Sequence, residues 1–270
     1  MLQYPLQDVP LVFLDFETTG LYPHGGDRIC EIALQRVVGE TVALSFSTLV
    51  DPERPLSIQS FNVNRISAEE LACAPKFAEV AGVVRSALAG AVIVAHNAPF
   101  DLEFLHAELA LAGLPQLIIP AIDTLMIARR LFPKRSSHSL SALSHALGAP
   151  TPSHRAMDDV LALRVVFADL AAQLANQGIA TLGDILHYGR GFNLGEPEPA
   201  LPPPIPDALR NGQLLRVVYR SRTLPDPTAR VIRPIEIIKQ RETLFLRAYC
   251  YLRQDLRVFL IDKLSQIEIA

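Results

Sequence analysis

Three short segments hold acids at spacings that suit chemistry. The first, Asp15-Phe16-Glu17-Thr18-Thr19-Gly20, puts two carboxylates two residues apart at the end of an apolar run. A strand alternates faces with period two, so Asp15 and Glu17 point the same way and Phe16 points into the core. Side-by-side carboxylates repel each other unless a cation sits between them. The second, His96-Asn97-Ala98-Pro99-Phe100-Asp101, follows the run AVIVA and enters a helix. Asp101 lies in its first turn, where the helix dipole favours an anion. The third, Ser153-His154-Arg155-Ala156-Met157-Asp158-Asp159-Val160, sets His154 just before a helix and Asp159 five residues later. Each segment alone has an ordinary reading: a solvated strand end, an acid at a helix start, a surface histidine.

Together they say more. Four carboxylates from separated segments, with no thiol among them, suit Mg²⁺ or Mn²⁺ and not zinc. Two divalent ions balance their charge. Such a pair, roughly 3.5–4 Å apart, stabilises the attacking and leaving oxygens of an in-line phosphoryl displacement. A histidine near it can take the proton of the attacking water.

The elements that must carry these groups are legible from periodicity. Leu11–Glu17 reads as an apolar strand, and Ile29–Val38 and Thr41–Val50 as two more, with Gly39-Glu40 as the tight turn between them. Helices are expected over Ala68–Ala89, interrupted near Pro75, and over Asp101–Ala112, Ser139–Leu147 and Arg155–Gln177. Ala91–Ala95 and Ile118–Ile122 read as strands, the second followed by a helix through Leu131. Three strands and then βα alternation describe an α/β unit, a mixed sheet with flanking helices.

The 270 residues leave room for one large domain or two unequal ones. Six prolines among residues 197–206 mark a semi-rigid linker. The expected division is 1–192, a linker over 193–209, and 210–270. Residues 1–200 carry 13 Lys and Arg against 21 Asp and Glu, a balance of −8; residues 201–270 carry 12 against 7, a balance of +5. The net −3 is therefore a cancellation, and it does not exclude a polyanionic partner. Cys30, Cys73 and Cys250 are far apart and lack a CxxC spacing, which points to reduced thiols. With no signal peptide and no apolar run long enough to span a bilayer, the expectation is a soluble, cytoplasmic protein without a membrane partner.

After the linker, short alternating segments dominate. Along Leu244–Arg253 the even positions Leu244, Leu246, Ala248, Cys250 and Leu252 form a core face. The odd positions Phe245, Arg247, Tyr249, Tyr251 and Arg253 interleave aromatics with arginines, a composition suited to stacking bases and neutralising phosphates. Arg216, Arg220 and Arg222 share a second strand face, and Arg257 and Phe259 a third. The plainer alternative is a small barrel with a solvated basic rim.

The three acidic segments resemble, in order, the three motifs of the DEDDh exonucleases, the superfamily of the bacterial proofreading exonuclease subunit. Asp123-Thr124-Leu125 and the run Ser139-Leu140, Leu143, Leu147-Gly148 agree with it, and the resemblance covers about residues 8–190. It implies a ribonuclease-H-like fold whose first three strands are antiparallel, and 3′→5′ release of nucleoside monophosphates from single-stranded DNA or RNA. It implies that Asp15 bridges two metal ions, Glu17 and Asp159 serve the ion on the nucleophile's side, and Asp101 serves the other. His154 is then the general base. The motif's histidine stands five before its last aspartate, which selects Asp159 over Asp158; the sister subclass would carry tyrosine where Arg155 stands. Thr18 and Phe61 are expected against the terminal nucleotide. Asn64-Arg65-Ile66-Ser67 departs from the His-Gly-Ile-Thr-like stretch of many relatives.

Residues 210–270 resemble the WYL domain through Tyr219-Arg220-Ser221, Arg233-Pro234 and Ala248-Tyr249-Cys250-Tyr251-Leu252-Arg253, followed by Arg257, Phe259 and Asp262-Lys263. The namesake tripeptide is replaced by Leu244-Phe245-Leu246. This resemblance implies a small SH3-like β-barrel that binds a negatively charged ligand, a single strand or a nucleotide, through Tyr219, Ser221, Arg233, Arg253 and Arg257. Other readings are a regulatory protein with the exonuclease fold as a scaffold, a polymerase proofreading subunit, and a small-oligonucleotide ribonuclease.

Overall fold

The computed structural model describes residues 2–221, 226–253 and 255–270, with only the backbone of Asp255. It divides into two units, Met1–Gly189 and Arg190–Ala270.

The first unit runs β1 (Leu11–Thr18), β2 (Ile29–Val38), β3 (Thr41–Leu49), α1 (Ile58–Asn64), α2 (Ala68–Ala72), α3 (Phe77–Leu88), β4 (Val92–Ala95), α4 (Ala98–Leu111), β5 (Ala121–Asp123), α5 (Thr124–Leu131), α6 (Leu140–Leu147), α7 (Ala156–Ala175) and α8 (Leu182–Gly189). The sheet order is β3-β2-β1-β4-β5. The first three strands are antiparallel to one another, and β4 and β5 are added parallel to β1. This is the ribonuclease-H-like mixed sheet. Its two faces bury separate cores. Val12, Leu14 and Phe16 pack with residues of α3 and α4. Leu11 and Phe13 pack on the other face with residues of α5, α6, α7 and α8. The period of two therefore turns Asp15 and Glu17 toward the α7 side.

Local signals set where these helices start. The Asp123 carboxylate accepts from Leu125 and Met126 N–H groups at the start of α5, and the Ser139 hydroxyl caps α6. The helix expected from Asp101 begins earlier, at Ala98, because Pro99 fits a first turn whose N–H groups need no partner. The strand expected over Ile118–Ile122 is shorter and later, Ala121–Asp123. Pro120 cannot donate to a ladder, so the strand starts after it.

The second unit holds α9 (Ile205–Asn211), β6 (Leu215–Tyr219), β7 (Thr228–Gln240), β8 (Thr243–Cys250), β9 (Asp255–Leu260) and β10 (Leu264–Ile269). Its antiparallel sheet has the order β10-β6-β7-β8-β9. Of the expected core face, Leu246, Ala248 and Cys250 are buried and Leu244 partly so, whereas Leu252 is exposed because β8 ends at Cys250.

The expected closed SH3-like barrel is not formed. Among the described residues, the edge strands β9 and β10 share no ladder, and the sheet stays open. The connection between them is a single 3-10 turn, Ile261–Lys263. Four residue steps reach at most about 14 Å, while a flat sheet of five strands is about 19 Å across. The sheet must therefore coil to let the chain pass between its edges, helped by a bulge at Pro234/Glu236. Its interior is covered by chain instead of a closing ladder: Phe192, Ile205 and Ala208 are buried with Leu215, Val217, Ile232 and Phe259. Arg222 lies outside the described residues. Among the described residues no helix is long and apolar enough to cross a membrane.

Candidate active site

The carboxyl ends of the parallel strands β1, β4 and β5 meet at one edge of the first unit, and the acids collect there. Asp15 and Glu17 come from the last turn of the β1 pleat. A register shift between Glu17 and Thr18 ends the regular pairing with β2 at that point. Gly20 follows, and a Cβ there would stand 2.2 Å from Asp27 Oδ2. Glycine is what lets the Asp27 carboxylate fold back to accept from the Tyr22 N–H at 3.0 Å.

Asp101 reaches the cluster from the first turn of α4. Asn97, in the left-handed region at φ 73°, starts that helix. Its N–H donates to Asp123 Oδ1 at 3.1 Å, which ties the α4 start to the α5 start. Behind them His96 bridges Thr124 Oγ1 and the His138 carbonyl, each at 2.9 Å. Burial lowers this imidazole to about 4, so it is a neutral strut. Asp101 Oδ1 accepts the Phe16 N–H at 3.2 Å, joining α4 to β1 beside the acids.

Asp159 enters from the first turn of α7. Its Oδ1 accepts the N–H groups of Ser153 and His154, at 3.0 and 3.3 Å. Asp158 is exposed and accepts from the Ser153 hydroxyl instead. One ligand atom each of Glu17, His154 and Asp159 lie within 4.8 Å of one another, with His154 exposed and both acids buried.

The electrostatics favour a cation. Burial, and then the charges of Asp101, Asp159, Glu17 and Glu31, raise the Asp15 carboxyl well above the usual range. Burial, then Asp159 and Glu31, push Glu17 up to about 8. Burial likewise lifts Asp101 to about 8 against the pull of its backbone hydrogen bonds, and raises Asp159. Carboxylates gathered from three elements into a buried site resist ionisation unless a positive charge joins them. Hard oxygen donors with one imidazole at the edge fit Mg²⁺ or Mn²⁺.

Thr18 is buried beside Glu17, and its hydroxyl donates to the Gly20 carbonyl at 2.6 Å. Phe61 is half exposed on α1, with the Arg65 guanidinium 6.0 Å from its ring centre. Two residues at the site were not singled out from sequence as contacts. Glu31 stands directly across the β1–β2 ladder from Glu17; a charge inside the apolar strand ICEIALQ was its signal. Asn64, at the end of α1 and almost fully buried, hydrogen-bonds Glu17 and donates to Cys30 Sγ at 3.6 Å. It occupies the first position of the stretch that departs from the relatives' pattern.

In the second unit the five basic-domain candidates do not form one cluster. Tyr219 lies on the buried side, edge-on to Phe259 at 5.0 Å, with the Arg230 guanidinium 5.9 Å from its ring. Arg257 is across the ladder from Ala248 on that same side, and is exposed. Arg233 pairs with Tyr249 on the opposite side, and its Nη2 donates to the Tyr251 hydroxyl at 2.8 Å. Tyr249 and Tyr251 meet edge to face at 5.0 Å. Arg253 is exposed in the turn after β8, and Ser221 follows β6.

The comparisons with known proteins agree with this geometry. The model of the family described as Exonuclease (RNase_T) matches residues 12–167, and that of the WYL domain matches residues 203–269. A "DNA polymerase III subunit epsilon-like protein" of Rhodobacter capsulatus is 42% identical over 187 residues, covering 67% of this chain and 26% of the relative. The chain thus spans about a quarter of that relative's length. The "DNA polymerase III subunit epsilon" of Treponema pallidum is 34% identical over 174 residues, covering 63% of this chain and 80% of the relative. Among solved structures, "Exonuclease X in complex with 5' overhanging duplex DNA" is 28% identical with a TM-score of 0.50, covering 65% of this chain and 99% of that one. The chain belongs to the Exonuclease (RNase_T) family, as a DEDDh-type member fused to a WYL domain.

Proposed function

We propose that the protein is a divalent-metal-dependent 3′→5′ exonuclease that releases nucleoside monophosphates from single-stranded DNA or RNA. The convergence of half-buried Asp15 with buried Glu17, Asp101 and Asp159 at one strand end, with His154 at its exposed rim, carries this reading. Asp15, Glu17, Asp101 and Asp159 are the residues that would hold the divalent metal. When bound, the metal neutralises the carboxylates and stabilises charge on the attacking and leaving oxygens. His154 accepts the proton of a water as its oxygen bonds to phosphorus. The bond from phosphorus to the 3′-oxygen of the preceding nucleotide breaks, and that oxygen takes a proton from solvent. Thr18 and Phe61 flank the terminal nucleotide, Phe61 offering a half-exposed ring on which a base can stack.

Oligonucleotides carrying a 5′ label, incubated with Mg²⁺ or Mn²⁺, test the reading. A ladder shortening from the 3′ end supports it; intact label in both metals refutes it. His154→Ala is expected to lower kcat about 10²–10⁴-fold while KM stays within a few-fold, because it removes proton transfer and no phosphate contact. A fall in KM-controlled binding with kcat intact would reassign His154 to the substrate.

The WYL unit holds the strand, or a nucleotide, in this reading. Its basic surface supplies the phosphate affinity that the acidic first unit lacks. Arg233→Ala and Arg253→Ala are each expected to raise KM on long strands about three- to ten-fold with kcat unchanged. Each should flatten the salt dependence of log KM by about 0.7. Unchanged KM and slope in both variants would remove this role.

A further inference from the structure

We infer that Arg155 and Glu31 form a positioning pair that holds the His154 imidazole at the catalytic cluster. The inference rests on the exonuclease reading for the role of His154 and on geometry for the pair itself.

Glu31 is a fifth carboxylate in the site, itself buried and directly opposite Glu17 in the β1–β2 ladder. Its oxygens nevertheless face α7. Oε1 accepts from Arg155 Nη2 at 3.0 Å, and Oε2 accepts from Arg155 Nε and the Ala156 N–H, each at 3.1 Å. The forked guanidinium and the first N–H of α7 thus occupy both lone-pair faces of Glu31. Glu31 thereby anchors the start of α7 to β2.

The residue between these anchors is His154. Its φ is 59°, in the left-handed region that residues other than glycine seldom adopt. Two constraints act on it. On one side, Asp159 Oδ1 takes the Ser153 and His154 N–H groups. On the other, the Arg155 side chain and the Ala156 N–H are fastened to β2 through Glu31. The strand that faces Glu17 therefore also fixes the turn that carries the exposed imidazole over Glu17. A bidentate guanidinium fixes orientation as well as charge, which a lysine ammonium does not. At the position where the sister subclass places a tyrosine, Arg155 binds Glu31.

The test compares Arg155→Ala, Arg155→Lys, Glu31→Gln and His154→Ala, with Arg155→Ala also combined with His154→Ala, all in the full chain. Arg155→Ala should lower kcat about 10- to 100-fold with KM within about twofold, since a base displaced by an ångström costs rate and not binding. Arg155→Lys should regain part of the loss. In the His154→Ala background, Arg155→Ala should change kcat less than about twofold, because the pair acts through the histidine. Histidine-labelled NMR gives a readout independent of turnover. The His154 ring resonance, identified by its loss in His154→Ala, should move in Arg155→Ala and in Glu31→Gln.

Equal losses in both backgrounds, or an unmoved ring resonance with kcat within about twofold of wild type, overturn the inference. Should Arg155→Ala fail to fold, Arg155→Lys and Glu31→Gln carry the same comparison. A wild-type protein inactive with Mg²⁺ and Mn²⁺ refutes the exonuclease reading instead, and the ring resonance still decides the pair.

Discussion

Asp15→Asn is expected to abolish hydrolysis and, in the absence of metal, to make the protein more stable. The two effects have one cause. Asp15 is the acid on which the charges of Asp101, Asp159, Glu17 and Glu31 all bear, after the cost of its own burial. Such a carboxylate is a poor contributor to folding and a good partner for cations. Asparagine keeps its shape and removes its charge, so the repulsion is relieved while the neighbouring carboxylates accept from the new amide. The loss in kcat should be about 10³-fold or more, the size expected when several kcal/mol of metal stabilisation disappear from the transition state. In EDTA the melting temperature should rise by about 4 °C, equivalent to one or two kcal/mol in a chain of this size. Steady-state kinetics on a single-stranded oligonucleotide and thermal melts with and without Mg²⁺ measure both. Activity within tenfold of wild type would move the metal site elsewhere. A lower melting temperature in EDTA would mean that Asp15 makes folding contacts beyond those described, and would undo the charge argument.

The legibility of this site in the sequence follows the range of the interactions that build it. The face shared by Asp15 and Glu17 needs only the pleat of one strand, and Phe13 and Phe16 do lie in opposite cores. The helix starts were legible only to within a few residues: the helix read from Asp101 begins at Ala98, and the first N–H of α7 is met by Glu31, far away in sequence. Glu31 could not be found this way. Its place opposite Glu17 depends on the register between β1 and β2, set across the loop of residues 19–28, where Thr19, Asp27 and Arg28 hydrogen-bond among themselves. Asn64 was hidden for a different reason: α1 has seven residues, too few for a periodic pattern to show.

The second unit illustrates a complementary limit. Alternation in β8 assigned the buried face correctly at Leu246, Ala248 and Cys250. It carries no information on which edges pair, so a closed barrel and an open coiled sheet look alike in sequence. Residues 202–206 read as linker by their prolines, yet Pro204 and Pro206 stand at the start of α9, where proline costs no hydrogen bond. Ile205 and Ala208, three residues apart, are the apolar signal of that turn, and both are buried under the sheet.

Charge clustering also fixes how the whole protein should respond to pH and metal. The ordinary values are 4.5 for Glu17 and 3.8 for Asp101, and both are raised to about 8 in the folded chain. Between those limits the folded site holds protons that the unfolded chain releases. Raising the pH therefore favours unfolding. The stability contributed by these groups is complete below about pH 4 and is lost as pH climbs through about 8. In EDTA the melting temperature should fall by about 10 °C between pH 5.5 and pH 8, the equivalent of several kcal/mol. Metal reverses the slope: a cation replaces the protons, so its stabilisation grows with pH and its binding expels protons into the buffer. At pH 7, titration calorimetry in buffers of different ionisation enthalpy should register about one to two protons released per chain on Mn²⁺ binding, the number that Glu17 and Asp101 can supply. Asp101→Asn should remove part of that release even where it leaves the fold intact. Mn²⁺ heats independent of buffer, or a metal-free melting temperature that rises from pH 5.5 to pH 8, would show that the acids are already ionised without a cation. The cluster would then lack the electrostatic demand on which its metal chemistry depends.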